Sequence, residues 1–330
     1  MPRPLLLYSG AFADLPFEEL AARAVDWGYQ GLELACSTEH LEVQRAVSEP
    51  TYCAQRLEQA SRQDLQIPVL NCQRMCLLLG DHLDDRYREL APDYVWGDGR
   101  PDGIRHRVVE ELLATVQAAQ KMGVGLVVGA GGSPFGSALI GCLPIPTEAV
   151  ARAFRDFAQR IMPVLDACRD AGTRFGYVIQ PGQLAFDLYS AELLLESVSG
   201  REELGFVLDP ASLHWQGVDP IEFIQRFPDR IVHVHVNDAV LNLNGRSGIL
   251  NSYLPPGDPR RGWDYRSPGH GGVDWPGIIR ALNYAGYDGA LSVHWRDAGM
   301  HRDYGAEDAA RFVKQLDWDR AVNSGSPMFQ

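Results

Sequence analysis

Lysine is nearly missing from this chain: 330 residues contain two, Lys121 and Lys314, and Lys plus Arg total 30 against 43 Asp plus Glu, a formal net charge of −13. No basic block occurs anywhere, and neutralising a phosphate backbone needs clustered cations, so a nucleic-acid partner is not expected. Long apolar runs of about 18 residues are absent too, and the opening MPRPLLLYSG turns polar too soon for a secretory leader. The reading is therefore of a cytoplasmic protein with no membrane partner. Cysteine is sparse: six residues, at 36, 53, 72, 76, 142 and 168, sit mostly in apolar stretches without a CxxC pair. Buried thiols are expected rather than a disulfide framework. What is present is 45% hydrophobic residues, 33 Gly and 21 Pro, enough for one large core and typical of an enzyme of small molecules.

Short apolar runs alternate with longer amphipathic ones along the whole length. Leu5 to Tyr8 reads as a first strand. The helix after it carries Phe17, Leu20, Ala21, Ala24 and Trp27 at helical spacing, with Asp14 as its expected N-cap and Gly28 as its stop. Further strands are read at 31–35, Ile67 to Cys72, Leu126 to Val128, Arg174 to Ile179, Leu204 to Leu208, Ile231 to Val236 and Ala290 to Val293. Helical stripes run from Ile104 to Met122, from Thr147 to a stop at Gly172, and near Pro220–Phe227, Trp275–Ala285 and Ala306–Leu316. The strands are apolar on both faces, as buried parallel strands are. Eight such strand–helix units without a composition shift predict a single (β/α)8 barrel over residues 1–318, followed by a C-terminal tail at 319–330. The turn after the first strand, Ser9-Gly10-Ala11-Phe12-Ala13-Asp14, is not GxGxxG, and Gly129-Ala-Gly-Gly-Ser-Pro lacks a Lys. No nucleotide cofactor is expected.

In a barrel the chemistry lies at the C-terminal strand ends. Those positions are Glu33, Gln73 and Arg74, Ser133, Gln180, Asp209, His233 and His235 with Asp238, and His294 with Arg296 and Asp297. Asp209, His235 and His294 come from three consecutive strands, and two imidazoles with one carboxylate make a facial triad for a divalent metal such as Mn, Zn, Fe or Co. The rival reading is of core histidines held by hydrogen bonds. His233, two residues before His235, shares its face and is read as a supporting group. Glu33, Gln180, Arg266 and Arg296 are candidates for binding substrate. Two connections, Leu77–Asp102 and Asn237–Asp274, far exceed the usual βα loop of about 2–6 residues and are read as lids. The second carries His270, a candidate acid or base, although a loop that merely packs on the barrel or on another subunit is the alternative.

The segments Asp209-Pro-x-x-Leu-x-Trp-Gln-Gly-Val-Asp-Pro, Arg230-Ile-x-His-Val-His-Val-x-Asp-Ala, Trp263-Asp-Tyr-Arg-Ser-Pro-Gly-His-Gly-Gly-Val-Asp and Gly286-Tyr-Asp-Gly-x-Leu-Ser-Val resemble the sugar phosphate isomerase/epimerase group of the xylose isomerase-like TIM barrels. The resemblance implies one divalent metal held by Glu, Asp, His and Glu at the ends of strands five to eight, with the glutamates shuttling a proton between neighbouring carbons. Carried onto this chain, those four positions are Val178, Asp209, His235 and His294, and the substrate-contacting His position is Ser212. Valine neither ligates nor accepts a proton, so the two-glutamate shuttle is not expected to run unchanged. The expectation is an isomerase- or epimerase-like enzyme on a small sugar-like or polyol-like substrate, with His294 and His270 as catalytic candidates. The alternatives are a lyase, or a metal-free, non-catalytic ligand-binding or partner subunit. A homo-oligomer is compatible with either.

Overall fold

The strand segments are too short to stand alone and hydrophobic on both faces, a combination satisfied by closing a sheet on itself inside a ring of helices. In the computed structural model, which describes residues 3–36, 38–136 and 144–318, they do so. The parallel strands are β1 (Leu5–Tyr8), β2 (Gly31–Ala35), β3 (Gln66–Asn71), β4 (Leu126–Gly129), β5 (Arg174–Val178), β6 (Leu204–Leu208) and β7 (Ile231–Val236). After an antiparallel hairpin of β8 (Asp238–Leu241) and β9 (Trp263–Arg266), β10 (Leu291–Val293) completes the barrel. The closed order is β1-β10-β7-β6-β5-β4-β3-β2, a (β/α)8 barrel. The expected tail at 319–330 and Cys142 lie outside the described residues.

Side chains alternate between two cores. Leu5, Leu7, Leu32, Leu34, Phe175, Tyr177, Phe206 and Leu208 face the helices, while Leu6, Val69, Leu126, Val128, Val178 and Val207 fill the lumen. Between β6 and β7 the register slips: Phe206 pairs with Ile231, but Val207 pairs with His233, so Val232 is an extra residue. Val232 packs with the lumen valines, and His233 and His235 reach across the barrel to Glu33 on β2. Gly205 accommodates the slip, because a Cβ there would stand 2.2 Å from Val232 Cγ1.

The expected cap Asp14 does not cap the first helix, Phe17–Asp26. Its N-cap is Pro16, without a side-chain bond; the helix starts at Phe17, and Asp14 stands two residues ahead of the capping position. Asp14 instead takes Arg302 at 2.5 Å, at the start of the last helix, Arg302–Leu316. Arg3, ahead of β1, likewise binds Asp317 through its backbone N at 2.7 Å and through its guanidinium. Helices the periodicity reading passed over include Val43–Ser48, Tyr52–Ser61, Leu188–Ser197 and Pro210–Trp215. The last is one turn and a half, too short for a periodic signal. Its N-cap is Asp209, whose carboxylate accepts from Ser212 N at 3.0 Å. The long connections hold structure: the first contains short helical turns between 77 and 96, and the second contains the β8–β9 hairpin. No described helix is long and apolar enough to cross a membrane.

Gly205→Ala is expected to destabilise the fold by about 1–3 kcal/mol through overpacking against Val232, whereas Gly125→Ala, where a Cβ meets nothing within 4 Å, stays near wild type. Urea denaturation of the two variants checks this; equal midpoints would rule out the tight lumen contact.

Candidate functional site at the barrel mouth

A carboxylate in a lumen without water has to find its donors within the protein. Glu33 is fully buried, and its oxygens receive Asn71 Nδ2 at 2.5 Å and face His233 Nε2 at 2.9 Å, His294 Nε2 at 3.1 Å and His235 Nε2 at 3.4 Å. An ionised carboxylate offers about four lone-pair sites; Asn71 and His233 meet hydrogen-bond geometry here, while His235 Nε2 and His294 Nε2 face it without a hydrogen-bond partner. The alternating faces of β2, β7 and β10 bring these groups to one level. Burial by itself raises the Glu33 carboxyl, but His294, His235 and His233 together hold it well below the usual carboxylate range.

The imidazoles differ in charge. Burial alone would lower His235, yet Glu33 and Asp209, whose Oδ2 lies 3.8 Å from its Nδ1, raise it to about 9. Burial, followed by the neighbouring His235, lowers His294 to about 4. Burial also lowers His233. Asp209 is raised by burial but brought down to about 2 by His235, Arg296 and Asn237, and Asn237 Nδ2 donates to it at 2.8 Å. Near neutral pH the cation is His235, the anions are Glu33 and Asp209, and His294 is neutral. Its ring is layered between Tyr8, at 4.1 Å and 5°, and His235, at 3.5 Å and 22°. Tyr8 reaches this position by folding over Gly10, where a Cβ would stand 2.3 Å from the Tyr8 hydroxyl.

Above this floor opens a cavity of about 540 Å³ lined by Tyr8, Gln73, Arg74, Gln180, Ser212, Trp215, Trp263, Tyr265, His294 and Arg296, among others. Trp263 and Tyr265 arrive on the β8–β9 hairpin. Trp263 stacks on Trp215 at 4.3 Å, and Tyr265 lies 3.4 Å from Ser212 Oγ and beneath the Arg296 guanidinium at 4.8 Å. The hairpin thus supplies one wall of the cavity. The glycine turn after β4 forms no anion cradle: Gln183 Oε1 accepts from Gly131 N and Gly132 N, and Asp81 from Ser133 N.

The structure gathers His294, Gln180, Ser212 and Arg296 on the cavity, with Glu33, Asp209 and His235 immediately beneath. Arg266 does not line it; its guanidinium returns to Tyr265 O at 2.9 Å. His270 lies elsewhere, half-exposed and 2.8 Å from Asp308 on the outer helix. Asp209, His235 and His294 do not point at one centre. The two imidazoles lie face to face, so their in-plane lone pairs run side by side, and Asp209 serves as a helix cap. Val178, at the position of the missing glutamate, lies among lumen valines, and the ligand set implied by the resemblance therefore does not fit its ion. Among the described residues, the group whose ligand atoms all lie within 4.8 Å of one another is Glu33, His233 and His235, a buried cluster able to coordinate a metal ion. Sequence reasoning placed Glu33 with the substrate groups and His233 as a support. The signal for their union was that both fall on inward faces at the same height. Trp215, Trp263 and Tyr265 carried no such signal, because the wall they form depends on the hairpin; Tyr8 had one, its place at the end of β1.

These features define a (β/α)8 barrel protein with a histidine–carboxylate cluster under its C-terminal mouth. The chain belongs to the xylose isomerase-like TIM barrel family, whose profile matches residues 21–316. It is 38% identical over 149 residues to the rhizopine catabolism protein MocC of Rhizobium meliloti, covering 44% of this chain and 42% of that one. It is 27% identical over 147 residues to the uncharacterized protein YfiH of Bacillus subtilis (strain 168), covering 41% and 46%. The chain thus spans about half the length of these curated relatives. Among solved structures, the 3-keto-D-glucoside 4-epimerase YcjR of E. coli superposes with a TM-score of 0.65 at 12% identity, over 95% of this chain and 99% of that one. At that identity the likeness is one of fold.

Because the folded protein keeps the His235 proton to about pH 9 while an unperturbed imidazole loses it near 6.5, this group's contribution is complete below pH 6.5 and lost as pH rises through 9. That amounts to about 3 kcal/mol. Denaturation of chelator-treated protein at pH 6 and 9.5 is expected to show this loss, with a flatter profile in His235→Gln. Identical profiles for the two proteins would refute the assignment of the cation.

Proposed function

We propose that this protein is a proton-transfer enzyme of the isomerase or epimerase type, acting on a small sugar-like substrate at the barrel mouth, with His294 as the base. The observation that carries the reading is the setting of His294: it lines the cavity, its Nε2 is turned to Glu33 at 3.1 Å, and its ring is clamped between two others. A carboxylate behind Nε2 favours the tautomer with the proton there, leaving Nδ1 to accept. The lowered pKa keeps the ring unprotonated at neutral pH. A proton taken from the hydroxyl-bearing carbon beside a carbonyl is then held on an imidazolium facing Glu33, leaving an enediolate; delivering it to the former carbonyl carbon, while the hydroxyl proton passes between the two enediolate oxygens, completes an isomerisation.

Gln180, Ser212 and Arg296 supply donors for substrate hydroxyls and for the charge that develops on the carbonyl oxygen. The stacked Trp215 and Trp263 offer an apolar wall for a sugar face. With one imidazole on one face, transfer between neighbouring carbons is favoured over inversion at a single carbon, which requires a second group on the opposite side. A divalent ion, when bound, would be held by Glu33, His233 and His235 and would supply positive charge below the floor.

Incubation with a panel of aldoses and ketoses in D2O is expected to place deuterium beside the carbonyl, read by NMR. His294→Ala is expected to lower the rate about 10²–10⁴-fold. Saturable binding without any exchange would overturn the enzymatic reading in favour of a ligand-binding protein.

A further inference from the structure

The cavity differs in charge from the molecule around it. The chain carries a net −13, yet the cavity lining contains no Asp or Glu and two arginines, Arg74 and Arg296. Arginines elsewhere are commonly neutralised: Arg3 by Asp317, Arg201 by Asp166 and Glu203, Arg302 by Asp14. Neither cavity arginine has a carboxylate within 4.0 Å among the described residues; the polar neighbour of Arg296 is the Tyr265 hydroxyl, and both arginines are exposed to the opening. Arg296 rests on the Tyr265 ring. Two of the nearby carboxylates are committed below, Glu33 to Asn71 and three imidazoles, Asp209 to Asn237, Ser212 N and His235; Glu89 lines an adjoining pocket with Arg74, without an ion pair to it. Both arginines line the cavity together with Tyr8, whose ring is stacked on His294. Unpaired guanidiniums in a concave site focus a positive potential and present paired N–H donors to an oxyanion.

From this we infer that the substrate is anionic: a small polyhydroxylated skeleton bearing a carboxylate or a phosphate ester, which Arg74 and Arg296 bind beside the reacting carbons. The inference rests on the barrel mouth being the substrate site, as proposed above.

Calorimetric titration of the full chain with matched ligands tests it: glucose against gluconate for the carboxylate, and against glucose 6-phosphate for the phosphate ester, with inorganic phosphate as the bare anion. At least one anionic sugar is expected to bind about tenfold or more tightly than glucose. Raising the salt should shrink that advantage, and Arg74→Gln and Arg296→Gln should remove it, with melting temperatures confirming that the variants fold. Whichever anionic sugar wins identifies the charged group; tight binding of inorganic phosphate alone, with no gain from the sugar, would overturn the proposal. Equal affinity for glucose and both anionic sugars, no binding by any anionic sugar, or a preference surviving in the double variant would also overturn it. Deuterium exchange into neutral sugars without charge preference would leave the proton-transfer reading standing and sink this one. Anion-selective binding without exchange would do the reverse.

Discussion

One buried carboxylate organises the barrel mouth. Glu33 cannot remain ionised in the lumen without donors, and removing one side of such an arrangement typically costs about 3–5 kcal/mol. Its partners come from β3, β7 and β10, so the requirement to satisfy one side chain ties β2 to strands that are not all its neighbours. The height and tilt of His294 follow from that requirement, as does the floor of the cavity. The register slip at Val232 belongs to the same construction, because without the extra residue the His233/His235 pair would lie on the other face of β7.

Much of the fold was legible because each strand is a short apolar run bounded by glycine or a polar turn. Leu5–Tyr8, Leu204–Leu208 and Ile231–Val236 are strands over the residues their sequence indicates. Short segments were harder to read. Pro210–Trp215 is too brief for a helical period, and Asp14, a good capping residue by type, fails as the cap because Pro16 disfavours helical backbone at Leu15 and the helix starts beyond it. At the mouth, strand-end position identified His294, Gln180 and Arg296, since the level of a residue on a barrel strand can be counted. Convergence could not be counted. Whether two imidazoles point at one ion or lie on top of one another depends on side-chain rotation, and His270 was drawn away by Asp308 on a helix distant in sequence.

Family membership and the details of the site carry different information. The barrel and its polar mouth are common to the xylose isomerase-like fold, while Val178 among the lumen valines and Asp209 as a helix cap are features of this chain. Valine at 178, where the resemblance implies a glutamate, continues the apolar layer of the lumen. Position 294, where the resemblance implies a second carboxylate, holds an imidazole that lines the cavity. Together these changes leave fewer negative groups near the opening and make the two cavity arginines the dominant charges there.

The pairing of β1 has a consequence for how the chain comes together. This strand lies between β2, a short distance along the sequence, and β10, where Leu5 pairs with Leu291. Until the last strand is in place, β1 is a bare edge with unmet backbone donors and acceptors. The contacts of Arg3 with Asp317 and of Asp14 with Arg302 fasten the same seam from outside. During synthesis most of the barrel is therefore made before its first strand can be completed, an interval in which an open β1 edge is available to a second nascent chain.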